Sequence, residues 1–164
     1  MNNNGLGRRA GDLLGLGAFI GLCLSIAAIG ARFTVPRIDT WYRTLQKPSF
    51  NPPDWIFGPV WTVLYMMIAF AGWRAWRSRH VAGASARLAV YGVQLALNLA
   101  WSIIFFGGRM IGLALVDIVL LLAAIGVNVV LFWRADRLAG WLLAPYAAWV
   151  AFASALNFAL WRLN

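Results

Sequence analysis

The side chains best suited to chemistry in this chain lie inside long apolar runs. Gln94, Asn98, Trp101 and Phe105 follow one another at offsets of four, seven and eleven residues. In a helix that spacing puts all four on one face. Tyr146, Trp149, Ala153 and Asn157 repeat the design at offsets of three, seven and eleven, and Trp61 and Tyr65 stand four apart. Three stripes that each combine a tryptophan with polar partners predict a shared pocket for a flat, largely apolar ligand. The rings would supply stacking surfaces and the amides would fix polar edges. For either Gln94 or Asn98 taken alone, the competing reading is a hydrogen bond bridging two helices. The face opposite Gln94 carries Gly92, Ala96 and Ala100, a ladder of small residues that lets helices approach closely. It predicts either a dimer face or packing within one bundle.

Asp117 and Asn128 stand eleven residues apart on one face of a further apolar run. An ionisable residue in such a place is a functional candidate by default. No second acid falls within any run to form a relay, which favours pairing with a loop arginine or an interhelical hydrogen bond. Other chemistries are poorly supplied. Cys23 is the only cysteine and His80 the only histidine. That excludes an internal disulfide and any His/Cys metal cluster, and leaves no serine or cysteine nucleophile with a base beside it. A haem could take an axial histidine only from His80, outside the runs. There is no phosphate-binding glycine loop. No required cofactor and no metal are therefore expected.

The elements that must position these stripes follow from composition. Of 164 residues 62% are hydrophobic and 12% charged, where a soluble domain has about a quarter charged. Five segments, at about residues 13–31, 56–76, 88–106, 110–133 and 140–161, approach the ~20 apolar residues needed to cross a bilayer. Lipid offers the backbone no partners, so each must be a helix. The fold class predicted is an all-α integral membrane bundle of five transmembrane helices. A short tail (1–12) precedes a single membrane domain (13–164). The first run is too long for a signal-peptide core and is read as retained. Residues 32–55 hold Pro36, Pro48, Pro52 and Pro53 among Trp41, Tyr42, Phe50 and Trp55. The prolines argue against a continuous helix, and the aromatics predict an ordered loop over one mouth of the bundle.

The net charge is +9, yet the basic residues lie between the apolar runs rather than on one face. They point to topology and anionic lipid headgroups, not to nucleic acid. Arg8, Arg9, Arg74, Arg77, Arg79, Arg87, Arg134 and Arg137 fall on one side of the five-span arrangement. Arg32, Arg37, Arg43, Lys47, Arg109 and Arg162 fall on the other. The dense, acid-free stretch from Arg74 to Arg87 favours a cytoplasmic N-terminus. No internal repeat is evident, which weakens a transporter built of inverted halves.

Several stretches together resemble the TspO/translocator protein family, also called tryptophan-rich sensory proteins or peripheral benzodiazepine receptors. They are Trp41-Tyr42-Arg43-Thr44-Leu45-Gln46-Lys47-Pro48 with Pro52-Pro53-Asp54-Trp55, Pro59-Val60-Trp61-Thr62-Val63-Leu64-Tyr65, and Gln94 to Trp101. Ala114 to Asp117 and Pro145 to Trp149 with Leu156-Asn157 continue the pattern, which covers about residues 13–164. The resemblance implies a five-helix bundle, commonly a homodimer. It implies a cavity under the first loop for protoporphyrin IX, haem and benzodiazepine- or isoquinoline-type ligands. By motif position Tyr42 and Pro52 would line the lid, with Trp61, Tyr65, Gln94, Asn98, Phe105, Trp149 and Ala153 on the walls. Arg43 or Lys47 would pair with porphyrin propionates. Animal members bind cholesterol, but here the next basic residue after Tyr146 is Arg162, too distant for the sterol motif. A reversed motif through Arg37, Tyr42 and Leu45 is too weak to predict a sterol. The functions implied are a tetrapyrrole sensor, receptor or transporter. The alternative is an enzyme degrading porphyrin in light and oxygen, with Trp61 and Trp149 as the reactive residues. Its chemistry would be the ligand's own photochemistry.

Overall fold

The computed structural model describes residues 3–164, with side chains from residue 9 onward. It contains five long helices. These are α1 (Asn3–Arg37), α2 (Phe57–Arg77), α3 (Ala84–Ser102), α4 (Ile111–Ala135) and α5 (Arg137–Leu163). All five are long and apolar enough to cross a membrane. The 25 residues of α4 rise about 37 Å, more than the ~30 Å of a hydrocarbon core. Neighbours form a closed ring in the order α1, α2, α5, α4, α3 and back to α1.

Burial is inverted relative to a soluble domain. Gln94, Asn98, Asp117, Asn128 and Asn157 are buried, while Leu113, Val116, Val119, Leu120, Val127 and Val130 of α4 are exposed. A helix whose apolar residues face outward and whose amides face inward suits lipid, where an unpaired polar group is costly.

The first helix corrects the expected boundaries. The loop predicted from residue 32 is helical well beyond that point. Helix α1 runs through Pro36 to Arg37 and continues as a π-helical turn over Ile38–Tyr42. Proline removes one amide donor and crowds the carbonyl four residues back, which commonly kinks or ends a helix. Here the helix carries on through it. The π turn begins two residues later, where the Thr40 hydroxyl donates to the Pro36 carbonyl at 2.9 Å. Pro48, Pro52 and Pro53 do end the helical run, and of the predicted loop only residues 45–53 are without helix. At the other end, helix begins at Asn3, within the residues read as a tail. Met1, Asn2 and the side chain of Arg8 lie outside the described residues.

The loop is held at several points. The backbone N–H of Gln46 donates to the Asn164 Oδ1 (2.9 Å), and the Asn164 Nδ2 donates to the Gln46 carbonyl (3.0 Å). Tyr42 donates to Asn51 Oδ1 at 2.8 Å, and Phe50 packs edge-on against Phe152 at 6.3 Å. At the opposite end of the bundle, acids from elsewhere reach the arginine cluster that is acid-free in sequence. Asp136 pairs with Arg74 (2.8 Å) and also caps α5 by accepting from the Leu138 and Ala139 amides. Asp12 pairs with Arg77 at 3.2 Å. Buried Arg87 donates to the carbonyls of Ala82 (2.7 Å) and Ser78 (2.9 Å), tying the α2–α3 turn together.

Candidate ligand cavity

A cavity of about 340 Å³ lies among α1, α2, α3 and α5. That volume falls at the lower end of the ~300–1,000 Å³ of small-molecule sites. Nine of the twelve ligand-site residues read from the sequence line it: Tyr42, Trp61, Tyr65, Asn98, Trp101, Phe105, Trp149, Ala153 and Asn157. Pro52, Gln94 and Tyr146 do not. Pro52 belongs to the loop, where its carbonyl accepts from Asn51 Nδ2 at 2.9 Å. Tyr146 is fully buried behind the wall. Gln94 sits one turn before Asn98 toward the basic end of the bundle. Tyr91 stacks on Phe132 there (5.9 Å, 22°), and Gln94 and Asn128 occupy the next turn of α3 and α4. Both of their amide groups are buried without a protein partner among the described residues, as is Asp117 Oδ2. Among the described residues neither the arginine pairing nor the interhelical hydrogen bond expected of Asp117 is formed.

The wall contributed by α1 escaped the sequence reading. Ala27, Gly30, Ala31, Thr34 and Val35 line the cavity. These side chains carry little chemistry, and only their three-and-four spacing marks a face. Gly30 faces α3, where a Cβ would meet the Ser102 Oγ at 3.4 Å, an ordinary contact. Asp54 and Phe57, at the start of the second helical run, were also missed.

The polar groups of the wall are tied to one another. The Tyr65 hydroxyl donates to Asn98 Oδ1 at 2.5 Å, and Asn98 Nδ2 donates to the Tyr146 hydroxyl at 2.9 Å. This chain links α2, α3 and α5. Trp101 Nε1 donates to Asn157 Oδ1 (3.0 Å), and Asn157 Nδ2 donates to the Ile111 carbonyl at the start of α4 (3.0 Å). Asn98 and Asn157 are therefore committed first to holding the helices in register, whereas Gln94 is not. Each of the two asparagines retains one amide hydrogen beyond these bonds.

A second π-helical turn, Ile103–Gly107, follows α3. It buries the consecutive residues Phe105 and Phe106, which a regular helix would splay by about 100°. The two π turns meet. Trp41 packs edge-on against Phe105 (5.5 Å) and Phe106 (6.4 Å), and Tyr42 lies 5.8 Å from Phe106. Trp101 stacks on Phe105 at 4.9 Å. Trp61 contacts Tyr65 at 5.6 Å, and Trp149 contacts Phe57 at 6.0 Å. The site therefore offers aromatic faces and a handful of free polar atoms. Among the described residues no three His, Cys, Asp or Glu side chains gather to hold a metal.

The shared amide makes a specific expectation. Tyr65→Phe and Tyr146→Phe should each cost about 0.5–2 kcal/mol, the scale of interhelical hydrogen bonds in lipid. Because both act on Asn98, their effects on thermal unfolding in detergent should depart from additivity by about 0.5 kcal/mol or more. Strict additivity would show that the chain does not act as a unit.

Comparison with known proteins agrees with this architecture. The profile of the TspO/MBR family matches residues 19–162. The tryptophan-rich protein TspO of Chlorobaculum tepidum is 42% identical over 157 residues, covering 93% of this chain and 98% of its own length. The translocator protein of Homo sapiens is 42% identical over 138 residues, covering 83% and 82%. A tryptophan-rich sensory protein of Cereibacter sphaeroides is 37% identical over 142 residues, covering 85% and 88%. With a family match spanning most of the chain and five helices able to cross a bilayer, this is a multi-pass integral membrane protein of the TspO/MBR family.

Proposed function

We propose that the protein is a membrane receptor, sensor or transporter for flat, largely apolar ring systems held in the cavity. Tetrapyrroles such as protoporphyrin IX and haem are the natural class, with benzodiazepine- and isoquinoline-type molecules as smaller occupants. One observation carries this reading. Three tryptophans from three helices, Trp61, Trp101 and Trp149, border a single cavity whose amides are already braced. Stacking surfaces held in place before binding spare the ligand the cost of ordering them. The names borne by relatives, translocator protein and tryptophan-rich sensory protein, support transport and sensing roles for those proteins. Photodegradation of a bound porphyrin would use the same Trp61 and Trp149 as electron donors, and both line the cavity.

Titration with protoporphyrin IX in the dark, followed by the shift of the porphyrin absorption band, tests the site. Trp61→Ala with Trp149→Ala should weaken binding by roughly ten- to a hundredfold, from two lost aromatic contacts. Unchanged affinity would remove the cavity as the binding place. Repeating the titration under illumination separates a receptor from a photoenzyme, since only the latter bleaches porphyrin faster than free solution does.

We also propose a homodimer through α3, with the N-terminus on the cytoplasmic side. Gly92 and Ala96 are exposed on the outer face of α3, and a Cβ at Gly92 would meet nothing within 4 Å. Ala96→Phe should raise the monomer fraction in detergent, as read by light scattering. An unchanged mass would reject that face.

A further inference from the structure

The cavity wall carries one charged side chain, and it is an acid. Asp54 lines the cavity at the end covered by the loop. It opens the 3-10 turn Asp54–Ile56 that leads into α2, directly after Pro52 and Pro53. It is partly buried and shares the cavity lining with Tyr42. Among the described residues no side chain hydrogen-bonds or ion-pairs with its carboxylate.

The cations at this end are directed elsewhere. Arg43 pairs with exposed Asp39 at 3.2 Å. Lys47 stands over the Tyr42 ring at 4.2 Å and does not line the cavity. Arg32, Arg37, Arg109 and Arg162 do not line it either. The pairing of Arg43 or Lys47 with propionates, expected from the sequence, thus has no counterpart in the cavity wall. Charges outside the wall reach a bound ligand through solvent and ions, whereas one on the wall acts at contact.

We propose that Asp54 sets the charge the cavity accepts. Among the ring systems that the cavity holds, it favours neutral ones and those bearing an ammonium or similar cation near the mouth, and it weakens by a small factor, without excluding, those such as protoporphyrin IX that bring a carboxylate there. A second carboxylate beside an unpaired one is repelled, while an ammonium gains a charge-assisted hydrogen bond. The proposal rests on the cavity being the ligand site.

The test uses the full chain in nanodiscs of zwitterionic lipid and three probes. These are protoporphyrin IX, its dimethyl ester, and a porphyrin with one alkylammonium arm. Each is titrated against the wild type, Asp54→Asn and Asp39→Asn. Comparing one probe between variants cancels its partition into lipid. Asp54→Asn should tighten the diacid and weaken the ammonium probe, each by roughly two- to fivefold as for a partly exposed charge pair. It should leave the ester unchanged, which also shows that the variant is folded. Asp39→Asn removes an equal charge from the exposed end and should leave all three unchanged. A diacid-to-ester affinity ratio that is the same in Asp54→Asn and wild type would overturn the role of Asp54. An ester that binds no better than to empty nanodiscs would instead overturn the cavity reading, and the charge preference with it.

Discussion

Five helices in a bilayer have no hydrophobic force driving them together, because lipid tails are as apolar as leucine. What the bundle depends on is the opposite constraint: a polar side chain in the membrane gains by finding a polar partner, and most of those on the cavity wall have one, while Gln94 and Asn128 outside it have none among the described residues. The chain from Tyr65 through Asn98 to Tyr146 satisfies that constraint across three helices. Trp101, Asn157 and the Ile111 carbonyl satisfy it across α3, α5 and α4. Each bond contributes modestly, about 0.6 kcal/mol on average for such contacts in lipid. Their larger effect is on register, since sliding α2, α3, α4 or α5 would strand its partners.

A bundle pinned in this way need not fill its interior. The linked side chains stand on the walls of a cavity that α1 completes with alanine, glycine and threonine. At the loop end, two π-helical turns bring Trp41, Tyr42, Phe105 and Phe106 together. Each turn inserts an extra residue per helical turn, which allows adjacent side chains to share one side. The Asn164–Gln46 pair then fastens the loop to α5. Rigid walls, an aromatic end and a tethered loop describe a container, and its lining sets what it can hold.

Much of this was legible in the sequence because membrane helices advertise themselves. Hydrophobic length marked all five spans, and helical spacing placed Trp61, Trp101 and Trp149 on inward stripes that the cavity unites. The failures are equally physical. Spacing cannot distinguish a residue at the wall from one beyond it, so Gln94 falls on the stripe of Asn98 and Tyr146 on that of Trp149. Small residues carry no functional signal, so the α1 wall stayed silent. Pro36 argued for a loop because local propensity does not register that a long preceding helix can run through a single proline near its end. The lone charge at Asp54 was hidden within a proline-aromatic motif whose other members drew attention.

The central claim is that the braced polar network holds open an apolar site inside the bundle, separate from the lipid-facing surface. Cross-linking with a diazirine-bearing aromatic probe, mapped by mass spectrometry of the protein in lipid, tests it most directly. The account places adducts on the peptides carrying Trp61, Trp101 and Trp149, suppressed by excess protoporphyrin dimethyl ester. Adducts confined to outward residues such as Val116, Val119 and Leu120, with no suppression, would contradict it.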